Sequence, residues 1–176
     1  MIQAVTLKGT SGVGDFSGDF LRVRDFLRSF QQQQYVPMTY PWGRWEWMFS
    51  LPYFDTTYID KIRIWVEGET ILALATYESS FGEGYYVVHP NYSYLKEEIA
   101  HYLVKEYAVN GKVRILIPDQ DHWMQQLVRK QGLLPTDHHE YDAVIDLQET
   151  SLDYSLPNGY RVVSLAEDNE IGRAHV

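Results

Sequence analysis

Tyr85 to Tyr107, YYVVHPNYSYLKEEIAHYLVKEY, is the stretch whose reading decides the fold. Tyr85, Tyr86, Val87 and Val88 are aromatic or β-branched and follow Gly82 and Gly84, which is the pattern of a strand. Pro90 has no N–H to give to a ladder, so the strand ends there. Leu95, Ile99, Tyr102, Leu103 and the Glu106–Tyr107 pair then recur at helical spacing, which predicts a helix with one apolar face. Asn91 and Ser93 are its candidate caps. A strand that turns quickly into a helix aims backbone N–H groups at the helix start, where an anion can sit.

The flanking segments supply the sheet around this unit. Ile62, Ile64 and Val66 alternate with Lys61, Arg63, Trp65 and Glu67, which predicts a strand with one face toward a core. Glu67-Gly68-Glu69 is a tight turn. Ile71 to Thr76, ILALAT, is almost wholly apolar and reads as a strand covered on both faces. With the Tyr85 run these strands make an antiparallel meander. Val113 to Ile117 reads as a further buried strand, reached through the Leu95 helix by a right-handed parallel crossover. Asp119 or Asp121 caps the next helix, which places Trp123, Met124, Leu127 and Val128 inside. Leu133–Leu134 and Ala143 to Leu147 close the sheet. The predicted core is Ile64, Leu72, Leu74, Val87, Ile99, Leu103, Ile115 and Leu127.

Nearer the N-terminus, Ile2 to Leu7 reads as a short strand. Gly9 to Gly18, GTSGVGDFSG, lacks the Lys-Ser or Lys-Thr of a phosphate loop and reads as a mobile loop. Ser17 or Asp19 caps a helix that buries Phe20, Val23, Phe26, Leu27 and Phe30. Tyr40 to Phe54, YPWGRWEWMFSLPYF, is dense in aromatics, a composition that suits either the wall of a cleft or a core.

Composition excludes several functions. The net charge of −9 argues against nucleic acid or an anionic membrane as the main partner and suits a cationic amine. Without cysteine there is no disulfide, thiol nucleophile or thiolate metal site. MIQAVTLKG does not resemble a signal peptide and no apolar run reaches spanning length, so the chain reads as cytoplasmic. Asp137-His138-His139-Glu140 carries metal-ligand chemistry, but neighbours in an extended chain point to opposite faces, so it reads as a solvated hairpin and no metal is assigned.

Val88-His89-Pro90 running into a helix resembles the central motif of the GNAT superfamily of N-acetyltransferases, where a strand ending in V-x-P leads into R-x-x-G-x-G and a helix. The order of meander, crossover, helix and final hairpin is also that of the superfamily. The resemblance covers Ile2 to Leu147 and implies an α/β (α+β) fold. Its parts are a mixed sheet, an antiparallel meander followed by a βαβ crossover, and helices on both faces. It implies domains at 1–147, a linker at 148–157, and the opening of a second GNAT-like domain at 158–176. This is the arrangement of a tandem two-domain member, with homodimerisation through the exposed strand Tyr160 to Leu165 as a further expectation.

The resemblance also implies acetyl-CoA as cofactor and a small-molecule amine as acceptor. In such enzymes the amine attacks the thioester directly. A backbone N–H at the end of the central strand stabilises the oxyanion, a carboxylate takes the amine proton, and a Tyr protonates the thiolate. The cofactor-side positions here are Val88, His89, Ser93, Tyr94 and Lys96. The carboxylate candidates are Glu78 and Glu83. The position of the Tyr holds Val128, with Asp121 at an accompanying Asn, so Tyr86 and Tyr141 are the candidate substitutes. Trp42, Trp45, Trp47 and Tyr53 are candidates for the acceptor wall. The loop departs from the motif: Ser93 stands for the Arg, and Lys96 and Glu98 for glycines. Glu97 and Glu98 would also repel a diphosphate, by about 0.7 kcal/mol per charge pair at ~6 Å in water and several-fold more where water is scarce. The implied function is therefore an N-acetyltransferase fold whose N-terminal half supports a catalytic half. The alternative is an aromatic-walled module that binds a small ligand without acyl transfer.

Overall fold

The meander is present where the alternation and the apolar run place it. Strands β2 (Arg63–Glu67), β3 (Thr70–Thr76) and β4 (Glu83–Val88) pair antiparallel in sequence order. Strand β1 (Ile2–Thr6) lies antiparallel on the outer edge of β2, and β5 (Arg114–Ile115) lies parallel to β4, giving the order β1-β2-β3-β4-β5. The helices are α1 (Asp19–Ser29), α2 (Trp42–Ser50), α3 (Lys96–Glu106) and α4 (His122–Lys130). The fold is thus α+β, with a mixed sheet. This computed structural model describes residues 1–30, 38–141 and 155–161.

Side-chain direction on β4 separates the two helical layers. Tyr85 points to the first layer, where its ring lies 5.2 Å from that of Tyr40 and 4.6 Å beneath the guanidinium of Arg44 on α2. Gly84 points to the second. A Cβ there would stand 3.0 Å from Leu103 and 3.4 Å from Tyr107, so the missing side chain is what lets α3 pack directly on the strand. Tyr86, two residues on, shares that face.

Several local readings change. In β2, Ile64, Trp65 and Val66 are all buried, because Trp65 meets Tyr102 of α3 edge to face with ring centroids 5.9 Å apart. The strand is therefore covered on both sides rather than one. A bulge sets Trp65 against Ala73 but Val66 against Ile71, so Leu72 is the extra residue of β3. Neither Asn91 nor Ser93 caps α3. A 3₁₀ turn, Pro90–Leu95, runs straight into it, and the side chain of His89 accepts from Asn91 N–H. Helix α1 is capped by Gly18 without a side-chain bond, while Asp19 accepts from Lys8 N–H at 2.7 Å. The Gly9–Gly18 loop is knitted together: Asp15 accepts from Ser11 and Ser17, and Thr10 bridges Ser17 carbonyl and Phe20 N–H. Those bonds hold the exposed Asp15 carboxyl down to about 2, the Ser17 and Ser11 hydroxyls contributing most.

The core matches the predicted residues except Ile115, which is half-buried on a two-residue strand whose far edge has no described partner. Trp123 is exposed on α4 rather than inside, while Met124, Leu127 and Val128 are buried. Leu133–Leu134 form no strand, and Ala143 to Leu147 lie outside the described residues. The chain divides into compact units Met1–His138 and His139–Val176. Of the linker and the second-domain opening, only residues 155–161 are described, and they contain a turn closed by Tyr160 N–H on Pro157 carbonyl at 3.1 Å.

Candidate functional site

The candidate site follows from how β4 and β5 part. Arg114 N–H donates to Gly82 carbonyl at 2.9 Å and Leu116 N–H to Gly84 carbonyl at 3.1 Å. The next donor in that alternation is residue 118, which is Pro118 and has no N–H. Pairing stops there, and β4 continues to Val88 without β5. The carbonyl of Tyr86, which Pro118 cannot serve, accepts the Thr39 hydroxyl at 3.1 Å instead.

Strand alternation also sorts the oxyanion candidates. His89 N–H donates to Leu72 carbonyl at 2.8 Å, so it is spent within the sheet. Val88 N–H must then point the other way, along the edge that β5 leaves open.

The opening is crossed by side chains on the α3/α4 layer. Asp121, the N-cap of α4, accepts Met124 N–H on Oδ1 at 3.1 Å. On Oδ2 it accepts the Tyr86 hydroxyl at 2.7 Å and the Lys96 ammonium at 2.7 Å. The Lys96 and Asp121 side chains keep only 20% and 12% of their exposure, so little water competes for this contact. Burial pushes the Asp121 carboxyl up, but the bonds from Lys96, Tyr86 and Met124 outweigh it and hold the group below the ordinary carboxylate range. Burial first, and then the carboxylate facing it, push the Tyr86 hydroxyl far above its ordinary value. Tyr86 therefore keeps its proton and points it at Asp121. Lys96 is the first residue of α3, so one carboxylate ties together the starts of two helices and the centre of β4.

On the other layer, Glu78 faces Arg44. The guanidinium holds both carboxylate oxygens, Nε on Oε1 and Nη2 on Oε2 at 2.9 Å, and also reaches the Tyr85 hydroxyl at 3.2 Å. Both oxygens of this carboxylate are therefore already engaged by a cation of the chain itself. Glu83 is paired with Arg114 at 2.6 Å. Trp45 is enclosed in the core, its indole N–H on Phe20 carbonyl at 3.1 Å, and offers no surface to a cleft. Trp42, Trp47 and Tyr53 are exposed, with Trp42 lying 5.9 Å beneath Arg28. Tyr141 is exposed and falls in the other unit.

The residues after β4 do not fit a pyrophosphate. Such a group needs several N–H groups turned to one point with no Cβ in the way. Here Asn91, Tyr92 and Lys96 N–H are turned inward onto His89 Nδ1, His89 carbonyl and the Ser93 and Tyr94 carbonyls. No residue from Pro90 to Glu98 is glycine. Lys96, the one cation of the segment, is engaged by Asp121. Tyr94, Glu97, Glu98 and His101 line instead an open groove of ≈ 590 Å³ on α4, which includes neither Val88 nor Tyr86.

Arg44, Thr39, Asp121 in its bridging role, and Pro118 were not singled out from the sequence. Pro118 had a legible signal, since it stands in step with Arg114 and Leu116 just past the predicted strand Val113 to Ile117. Among the described residues no cluster of three metal-ligating side chains occurs, and no helix is long and apolar enough to cross a membrane. No family model and no curated protein matches the chain.

Proposed function

We propose that this chain carries a GNAT-like domain in a supporting role, shaping or stabilising a catalytic acetyltransferase domain that acts on a small amine. The family reading rests on the V-x-P strand end and on the way β4 outruns its parallel neighbour. The supporting role rests on one observation, the Lys96–Asp121–Tyr86 bridge across that opening. The candidate base Glu78 is held by Arg44, which points the same way.

The test is calorimetry with acetyl-CoA. The loss of two charge-assisted hydrogen bonds, at roughly 1.5–3 kcal/mol each, moves a micromolar site to about millimolar. We expect no saturable heat below that range, and a dissociation constant in the low micromolar range would overturn the supporting role. The exposed Trp42, Trp47 and Tyr53 favour one other reading, a small-ligand module. Saturable binding of an aromatic or aliphatic amine in the absence of acetyl-CoA would select it.

A further inference from the structure

Three donors from three separate elements converge on one carboxylate. Lys96 comes from the start of α3, Tyr86 from the middle of β4, and Met124 N–H from the first turn of α4. Ammonium, hydroxyl and helix-start N–H together are the donor set that proteins use to hold a small anion. In this domain the anion is part of the chain. We propose that Asp121 is the resident anion of this cradle, a built-in ligand that locks the mouth between β4 and β5 and takes the place an exchangeable anionic ligand would fill. The inference concerns only side chains within Met1–His138 and does not depend on the acetyltransferase-like reading.

Two features of the geometry favour a lock over an ordinary helix cap. A cap needs one oxygen on one N–H, and Asp121 Oδ1 already serves Met124. The second oxygen is spent wholly on Lys96 and Tyr86, which cap nothing. The lock also stands where the sheet itself cannot close, because Pro118 ends the β4–β5 ladder. With the ladder ended, side chains are what remain to hold α4 to β4 there.

The experiment is chemical rescue. Asp121→Ser keeps a hydroxyl to cap α4 and removes the carboxylate, leaving room for formate or acetate. Hydrogen exchange at the Leu127 and Val128 amides inside α4, which do not bond to Asp121, reports how firmly the lock holds that helix. We expect exchange at least tenfold faster in Asp121→Ser than in the unaltered protein. Formate or acetate, compared with chloride at equal ionic strength, should recover a large part of that factor. The unaltered protein and the Lys96→Met/Asp121→Ser double variant should not respond. Exchange in Asp121→Ser as slow as in the unaltered protein, no rescue, or equal rescue in the double variant would each overturn the proposal. If Asp121→Ser does not fold, Asp121→Asn and Lys96→Met both retain the cap. Coupling of fivefold or more in the folded-to-unfolded ratio across that cycle supports the lock, and additive effects overturn it. A low-micromolar acetyl-CoA site would remove the supporting role proposed above while leaving this question to the rescue alone.

Discussion

Replacing Glu78 separates a structural from a catalytic reading of the same carboxylate. Glu78 and Arg44 keep 13% and 22% of their side-chain exposure, and the guanidinium makes two bonds to the carboxylate. It also stacks 4.6 Å over the Tyr85 ring and reaches the Thr39 carbonyl at 3.4 Å. Removing one partner of a buried pair costs about 3–5 kcal/mol, because the other charge stays behind. Some water reaches both groups here, so the cost for Glu78→Ala falls to about 2–3 kcal/mol. At ~2 kcal/mol per molar of urea, the unfolding midpoint should drop by roughly 1–1.5 M. Glu78→Gln keeps the volume and one acceptor and should lose about half as much. Arg44→Leu/Glu78→Leu should recover much of the loss, since replacing both charges with apolar groups is often neutral. Urea titration followed by tryptophan fluorescence measures all four proteins. A Glu78→Ala midpoint unchanged from the unaltered protein would refute the reasoning and return Glu78 to the list of candidate bases.

Val87 is buried on β4 against the first helical layer, so Val87→Asp should abolish the cooperative unfolding transition; an unpaired core charge costs several kcal/mol of the 5–15 or so available. Gly18 has φ +57 and ψ −131, and a Cβ there would stand 2.6 Å from Lys8 carbonyl. Gly18→Ala should therefore cost at least about 2 kcal/mol in the same titration. The Asp121 carboxyl is depressed in the folded state by Lys96, Tyr86 and Met124 N–H against the opposing effect of burial. A depressed carboxyl stabilises above its unfolded value and loses that contribution as pH falls through its folded value. The stability difference between the unaltered protein and Asp121→Asn should hold from neutral pH down to about 4 and shrink below it, as midpoints across that range will record.

Periodicity made the sheet legible because burial acts on every residue of a strand at once. ILALAT has no polar face, so it had to be covered on both sides, and β3 is. The β2 alternation misled for a reason that lies in Trp65. A large ring between Arg63 and Glu67 looks like an outward residue in a period-two pattern, but α3 brings Tyr102 over it. Contacts of this kind, between residues far apart in sequence, leave no local trace. Pairing between Arg44 and Glu78 and between Lys96 and Asp121 is of the same sort. Nothing local in the sequence pairs these residues, and only the fold makes them partners.

What the candidate site lacks follows from residues that are visible in the sequence but whose effects are not. Pro118 ends the β4–β5 ladder and so creates the opening. An open strand edge is costly if its polar groups are buried without partners, and each such group costs about 1–3 kcal/mol. The chain answers with its own groups: Thr39 takes the Tyr86 carbonyl, and Asp121 takes the Tyr86 hydroxyl and the Lys96 charge. A domain built to exchange a ligand at this edge would be expected to leave those groups to the ligand, because filling them internally makes binding compete with folding. Any anion entering the mouth must displace Asp121 from three donors at once and leave that carboxylate half-buried without them. On that ground Lys96 at the start of α3 and Asp121 at the N-cap of α4 are one device rather than two separate features, since each half-buried charge is held by the other.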